Sequence, residues 1–171
     1  DGQADVCGLS MGGYVALALM AESRALVRSL VLCNTKATAD GPEAKAARDG
    51  AINTVLDQGR RAIAAAMLPK LLAPHADPLL RARAQTMIEG TPVETIVADL
   101  RGLRDRADRT TLLASIDVPT TVITGELDPI APVAEAQGMA AAIRGARLVV
   151  VPGDRKSTRL NSSHLVISYA V

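Results

Sequence analysis

The chain has 171 residues, the length of one domain or most of one, and 49% of them are hydrophobic, enough for a sizeable core. Tyr14 and Tyr169 are its only aromatics, with no Phe and no Trp, which argues against an aromatic-lined ligand groove. A formal net charge of +1, with signs interspersed and no basic block, gives no reason to expect nucleic acid or an acidic membrane as partner.

The chain opens at Asp1 on a short apolar run, Ala4 to Gly8, that lacks helical period. A long apolar segment from Met11 to Ala21 follows, so the beginning reads as strand, tight turn, helix. RSLVLCN (Arg28 to Asn34) is a second unbroken apolar run, as expected of a parallel strand covered on both faces. Cys7 and Cys33 lie within these two runs and are expected to be buried free thiols rather than a disulfide or a metal pair.

From Ala39 to about Ile116 the character changes. Ala, Leu and Arg recur at helical spacing, and the punctuation includes Gly41-Pro42, Gly59, Pro69, Pro74, Pro78, Gly90 and Pro92. Helices are predicted to start near Pro42, Arg60, Pro78, Pro92 and Arg109, with Thr91-Pro92 and Glu94 forming a capped N-terminus. The charges of RGLRDRADR are expected to solvate an exposed face. His75, in LLAPHADP, is expected in a surface loop.

The α/β rhythm resumes with VPTTVITG (Val118 to Gly125), the loop ELDPIAP, a helix through Val133 to Ile143 and a last strand, ARLVVVPG. Strands alternating with helices predict an α/β fold with a parallel sheet and right-handed crossovers, interrupted by a helical insertion. No apolar run reaches the ~18 residues of a membrane helix. There is no His/Cys cluster at ligand spacing and no second glycine-rich phosphate loop, so neither a metal nor an organic cofactor is implied.

Gly8-Leu9-Ser10-Met11-Gly12-Gly13 contains G-x-S-x-G. Short motifs recur by chance, so context decides. A strand leads in, a helix leads out, and the glycines at 8 and 12 are expected to relieve crowding that a Cβ would create at either position. On such a turn Ser10 projects its hydroxyl above the carboxyl edge of the sheet, and the Met11 amide points where an oxyanion would form. The bland alternative is a glycine-rich turn whose serine caps a helix.

On these residues the sequence resembles the α/β-hydrolase superfamily, over nearly the whole chain to Gly153. The resemblance implies a partial α/β-hydrolase fold: a core of residues 1–38 and 117–153 and a helical cap of residues 39–116. It makes Ser10 the nucleophile and, in the G-x-x-D turn Gly125-Glu126-Leu127-Asp128, makes Asp128 the acid that orients a histidine, with Glu126 as the alternative. The resemblance also implies hydrolysis of an ester, lactone or related acyl bond through an acyl-enzyme, as in enol-lactonases and carboxylesterases. The apolar cap favours a small, largely apolar substrate. Carbon–carbon bond hydrolases, peptidases and thioesterases share the serine. An acyltransferase and a non-catalytic binding protein are the readings from other classes.

The family pattern places a histidine shortly after the last strand, as G-x-G-H, and none stands there. His164 comes too late. The string DRKSTRLNSSH, Asp154 to His164, matches the translation of a sequencing-library adapter, and Ile167 to Val171 match its continuation beyond index bases that would encode Leu165 and Val166. Residues 154–171 are therefore expected to be an artefactual tail. His164 is then not catalytic, and the natural histidine is missing from this chain. The family's first strands are expected upstream of Asp1, leaving an exposed sheet edge. The fragment itself is expected to be inactive, and its location, with no secretion signal in view, cytoplasmic. Its oligomeric state is left open.

Overall fold

The computed structural model describes residues 2–155. Four parallel strands form one sheet in the order β1 (Ala4–Leu9), β2 (Val27–Cys33), β3 (Thr120–Gly125) and β4 (Arg147–Val151). Helix α1 (Met11–Ser23) and a 3-10 turn (Arg24–Leu26) connect β1 to β2. Four helices follow: α2 (Pro42–Gln58), α3 (Arg60–Leu71), α4 (Pro78–Gly90) and α5 (Val93–Asp105). A second 3-10 turn (Thr110–Ser115) precedes β3, and α6 (Val133–Ala142) joins β3 to β4.

The short apolar runs became strands because alternate residues meet a packed face. Val6, Leu30, Leu32, Val122 and Leu148 lie on one face, against Ala16, Leu17 and Met20 of α1 and Ala136 and Met139 of α6. Each fully buried Leu or Val here removes apolar surface worth roughly 1.5–3 kcal/mol. The opposite face differs from expectation. Among the described residues, Cys7, Val31, Ile123 and Val149 on that face are exposed or half-buried. Cys33 is buried, whereas Cys7 is exposed on the edge strand, so only one thiol is interior.

Helices α2–α5, here termed the cap, have a core of their own. Ile52 and Val55 of α2, Ile63, Ala64 and Leu68 of α3, Ala84 and Ile88 of α4, and Ile96, Val97 and Leu100 of α5 form one cluster at helical spacing. Three details depart from the sequence reading. Leu113 and Ile116 pack with the sheet, so the last part of the 39–116 stretch belongs to the body, and its helix near Arg109 is a 3-10 turn. Pro69 lies inside α3, which continues to Leu71. Thr91 does not cap α5; its hydroxyl donates back to the Met87 carbonyl (3.0 Å), and the side-chain cap is Asp77 on α4, accepting from the Leu79 amide (2.7 Å).

Cap and body meet at a clasp between the two linking segments. The Arg109 amide donates to the Ala37 carbonyl (2.8 Å), and the Ala39 amide to Asp108 Oδ2 (3.0 Å). Asp40, 7% exposed, takes Arg106 on Oδ1 (2.7 Å) and Arg48 on Oδ2 (3.1 Å). The Arg106 guanidinium also donates to the Thr38 carbonyl (3.0 Å) and lies 4.3 Å from the ring centre of Tyr14. Burial pushes the Tyr14 phenol up from its ordinary pKa, and Arg106 partly offsets this.

Candidate active site

Ser10 ends the step from β1 into α1. Its backbone takes φ 55 and ψ −114, a conformation that costs an L-residue about 1–3 kcal/mol. Neighbouring backbone holds it there. The Ser10 amide donates to the Cys33 carbonyl of β2 (2.8 Å), and the Ser10 carbonyl accepts from the Gly13 amide (2.9 Å) and the Thr35 hydroxyl (2.8 Å). Its side chain makes no cap bond to α1, contrary to the helix-cap alternative. Met11 is the first residue of α1, so its amide is among the helix's unpaired N-terminal donors.

The glycines around Ser10 have unequal reasons. A Cβ on Gly8 would lie 2.3 Å from the Gly12 carbonyl oxygen, so β1 and α1 can close on each other only with glycine there. Gly12 itself, expected to be crowded, has open space among the described residues. The crowded partner is Gly13, where a Cβ would meet the Thr35 side chain at 2.4 Å.

Asp128 follows β3 and is 4% exposed. Oδ1 accepts from the amides of Ile130 (2.7 Å) and Ala131 (3.1 Å), and Oδ2 accepts from Asn34 Nδ2 (2.8 Å). Glu126 is turned elsewhere: it is exposed, and its Oε2 accepts from the Gly153 amide (2.8 Å). The chain after β4 crosses close over this turn. The Leu127 amide donates to the Asp154 carbonyl (2.7 Å), and a Cβ on Gly125 would lie 1.8 Å from the Arg155 carbonyl oxygen.

Ser10, Asn34 and Asp128 thus stand at the carboxyl ends of three successive strands, the edge at which open parallel sheets bind ligands. Sequence reasoning missed Asn34. The available signal was an Asn directly after an apolar strand, since Asn tolerates the left-handed backbone, here φ 45, better than most residues. His75 is exposed in the α3–α4 turn of the cap. His164 and Tyr169 lie outside the described residues, as does the tail beyond Arg155. Among the described residues no His/Cys/Asp/Glu group could hold a metal, and no helix is long and apolar enough to cross a membrane.

The sequence profile described as the Alpha/beta hydrolase family matches residues 1–168. The chain belongs to the alpha/beta hydrolase family. Among curated proteins, it is 33% identical over 161 residues to a pimeloyl-[acyl-carrier protein] methyl ester esterase of Neisseria meningitidis serogroup A, covering 88% of this chain and 50% of that protein. The serogroup C counterpart is 32% identical, with 61% of its length covered. Among solved structures, a thermophilic esterase from Thermogutta terrifontis superposes with a TM-score of 0.86 at 35% identity, covering 91% of this chain and 58% of that one. The enol-lactonase from Burkholderia xenovorans LB400 gives 0.78 at 32% identity, over 88% and 57%. The chain therefore spans about half to three-fifths of the length of these relatives.

Proposed function

We propose that the protein containing this chain is a serine hydrolase that cleaves an ester, lactone or related acyl bond of a small, largely apolar molecule through an acyl-enzyme. The observation that carries this reading is Ser10, held in a strained backbone at a helix N-terminus with its hydroxyl not spent on capping. The relatives described as esterases and an enol-lactonase supply the bond class.

Ser10 Oγ attacks the acyl carbon while a base takes its proton. The oxygen that gains charge faces the Met11 amide, a donor fixed before the reaction begins. Collapse expels the alcohol, which takes the proton back from the base, and leaves the acyl group on Ser10. Water, deprotonated by the same base, releases the acid. Asp128 orients the base and stabilises its cation through Oδ2, since Oδ1 is already engaged by two amides.

Counted from Gly153, the G-x-G-H pattern puts a glycine at 155 and the histidine at 156, where this sequence has Arg155 and Lys156. Arg155 Nε is a buried polar atom with no partner among the described residues, at a position where the pattern has no side chain. The same misfit suits an artefactual tail from residue 154 onward. No cofactor enters this scheme, and the partner is a small-molecule substrate.

Hydrolysis of p-nitrophenyl butyrate by the intact protein tests the reading. Ser10→Ala should lower kcat by about a thousandfold or more. Parental turnover in Ser10→Ala would contradict it. The 171-residue chain alone should show no Ser10-dependent turnover.

A further inference from the structure

The Asn34 side chain joins two parts of the site that come from different strands. It is 6% exposed and stands after β2 in the left-handed conformation, its own amide donating to the Ile123 carbonyl of β3 (2.8 Å). An amide NH2 has two protons. Nδ2 places one on Asp128 Oδ2 (2.8 Å) and the other on the Arg155 carbonyl (3.1 Å).

The bond to Asp128 does something that no other described group does. Oδ1 of Asp128 is fixed by two backbone amides, whereas Oδ2 has one donor among the described residues, and that donor is Asn34. Without it, the oxygen free to receive the base keeps its position but loses the partner that sets which lone pair stays open.

We propose that Asn34 is a positioning residue whose side-chain amide holds Oδ2 of the acid Asp128 and thereby sets the orientation in which that carboxylate receives the base. This rests on the serine-hydrolase reading. Asn34 acts through Asp128. Its left-handed backbone aims the side chain across the β2–β3 edge, and the Ile123 carbonyl anchors that backbone.

The test uses the intact protein and two variants. Asn34→Gly keeps the left-handed backbone and removes the amide. Asn34→Asp keeps the shape and replaces the donor with an acceptor facing Asp128. With kcat taken per folded molecule by circular dichroism, Asn34→Gly should lower kcat about 10- to 100-fold, the range of a lost charge-assisted hydrogen bond, with KM unchanged within about twofold. Removing the donor leaves the Asp128 carboxylate more negative toward the cationic base. The acid limb of the kcat profile should therefore move to higher pH, and further in Asn34→Asp. A purely structural role changes the folded fraction and leaves that limb in place.

Parental kcat and an unmoved limb in both variants, with Asp128→Ala inactive, would overturn the role of Asn34 and leave the hydrolase reading standing. Parental turnover in Ser10→Ala would remove both. If Asn34→Gly fails to fold, the limb in Asn34→Asp decides: an upward shift supports the proposal, and no shift overturns it.

Discussion

Beside the candidate site in the sheet body, Gly8, Gly13 and Gly125 have no room for a methyl group, with the nearest atoms 2.3, 2.4 and 1.8 Å from where it would stand. In the cap, Gly41, Gly50, Gly59, Gly90 and Gly102 have nothing within 4 Å. At these positions the body closes on backbone, or at Gly13 on the Thr35 side chain, whereas the cap is specified by burial of Leu, Ile, Val and Ala on helix faces. Close packing tolerates no added atom at the first kind of position, whereas a helix face tolerates most changes that keep its pattern. Candidate chemistry sits in the intolerant region.

The clasp is where this contrast breaks down, because the cap there depends on a buried charge. Asp40→Ala would leave Arg106, 9% exposed at its side chain, without its carboxylate. A loss of about 3–5 kcal/mol is expected in urea unfolding of the intact protein. A loss below about 1 kcal/mol would mean that the clasp is not what holds the cap to the body. Next in size is the body itself. Gly8→Ala should cost about 2–3 kcal/mol by forcing β1 and α1 apart, and Gly12→Ala, four residues away, should cost nothing measurable on the same assay. Equal effects at the two positions would refute the crowding argument. Smaller again, and opposite in sign, are Gly50→Ala in α2 and Gly102→Ala in α5, both exposed. Each should raise stability by about 0.5–1 kcal/mol through helix propensity alone, read as a higher urea midpoint.

The body also hides a thiol. Burial, with Cys7 adding to it, pushes the Cys33 thiol up to about 12. At pH 8 a maleimide should label Cys7 in the folded 171-residue chain and Cys33 only after denaturation. The sign of the accompanying pH effect is fixed. A folded value above the unfolded ~8.5 gives a contribution that is fully present below pH 8.5. It is lost as pH rises toward 12. Native labelling of both thiols at equal rates would show that the interior around Cys33 is open.

Much of this fold is legible in the amino-acid sequence. The apolar runs around Val6 and Leu30 announce strands because they are short, unbroken and without helical period, although the face carrying Cys7 and Val31 is exposed or half-buried. Pro42 and Pro78 announce helix starts because a missing N–H costs nothing at a first turn. The strand–turn–helix setting of Ser10 follows from its glycines. What escapes is set by contacts distant in sequence. Gly13 rather than Gly12 is crowded because Thr35, from another strand end, packs on it. Leu113 and Ile116 look like further cap residues until the sheet is there to receive them. Asn34 gains its role only from Asp128, 94 residues away. Thr91 resembles a cap, yet bonding back to Met87 uses its hydroxyl first.

The central claim is that Ser10 is the nucleophile, and it can be tested by covalent capture. The intact protein would be treated with p-nitrophenyl ethyl ethylphosphonate, digested and mapped by mass spectrometry. The account predicts one phosphonyl adduct per molecule, on Ser10, with release of one equivalent of p-nitrophenol and loss of esterase activity in step. An adduct on another residue, or full activity after stoichiometric modification, would contradict it.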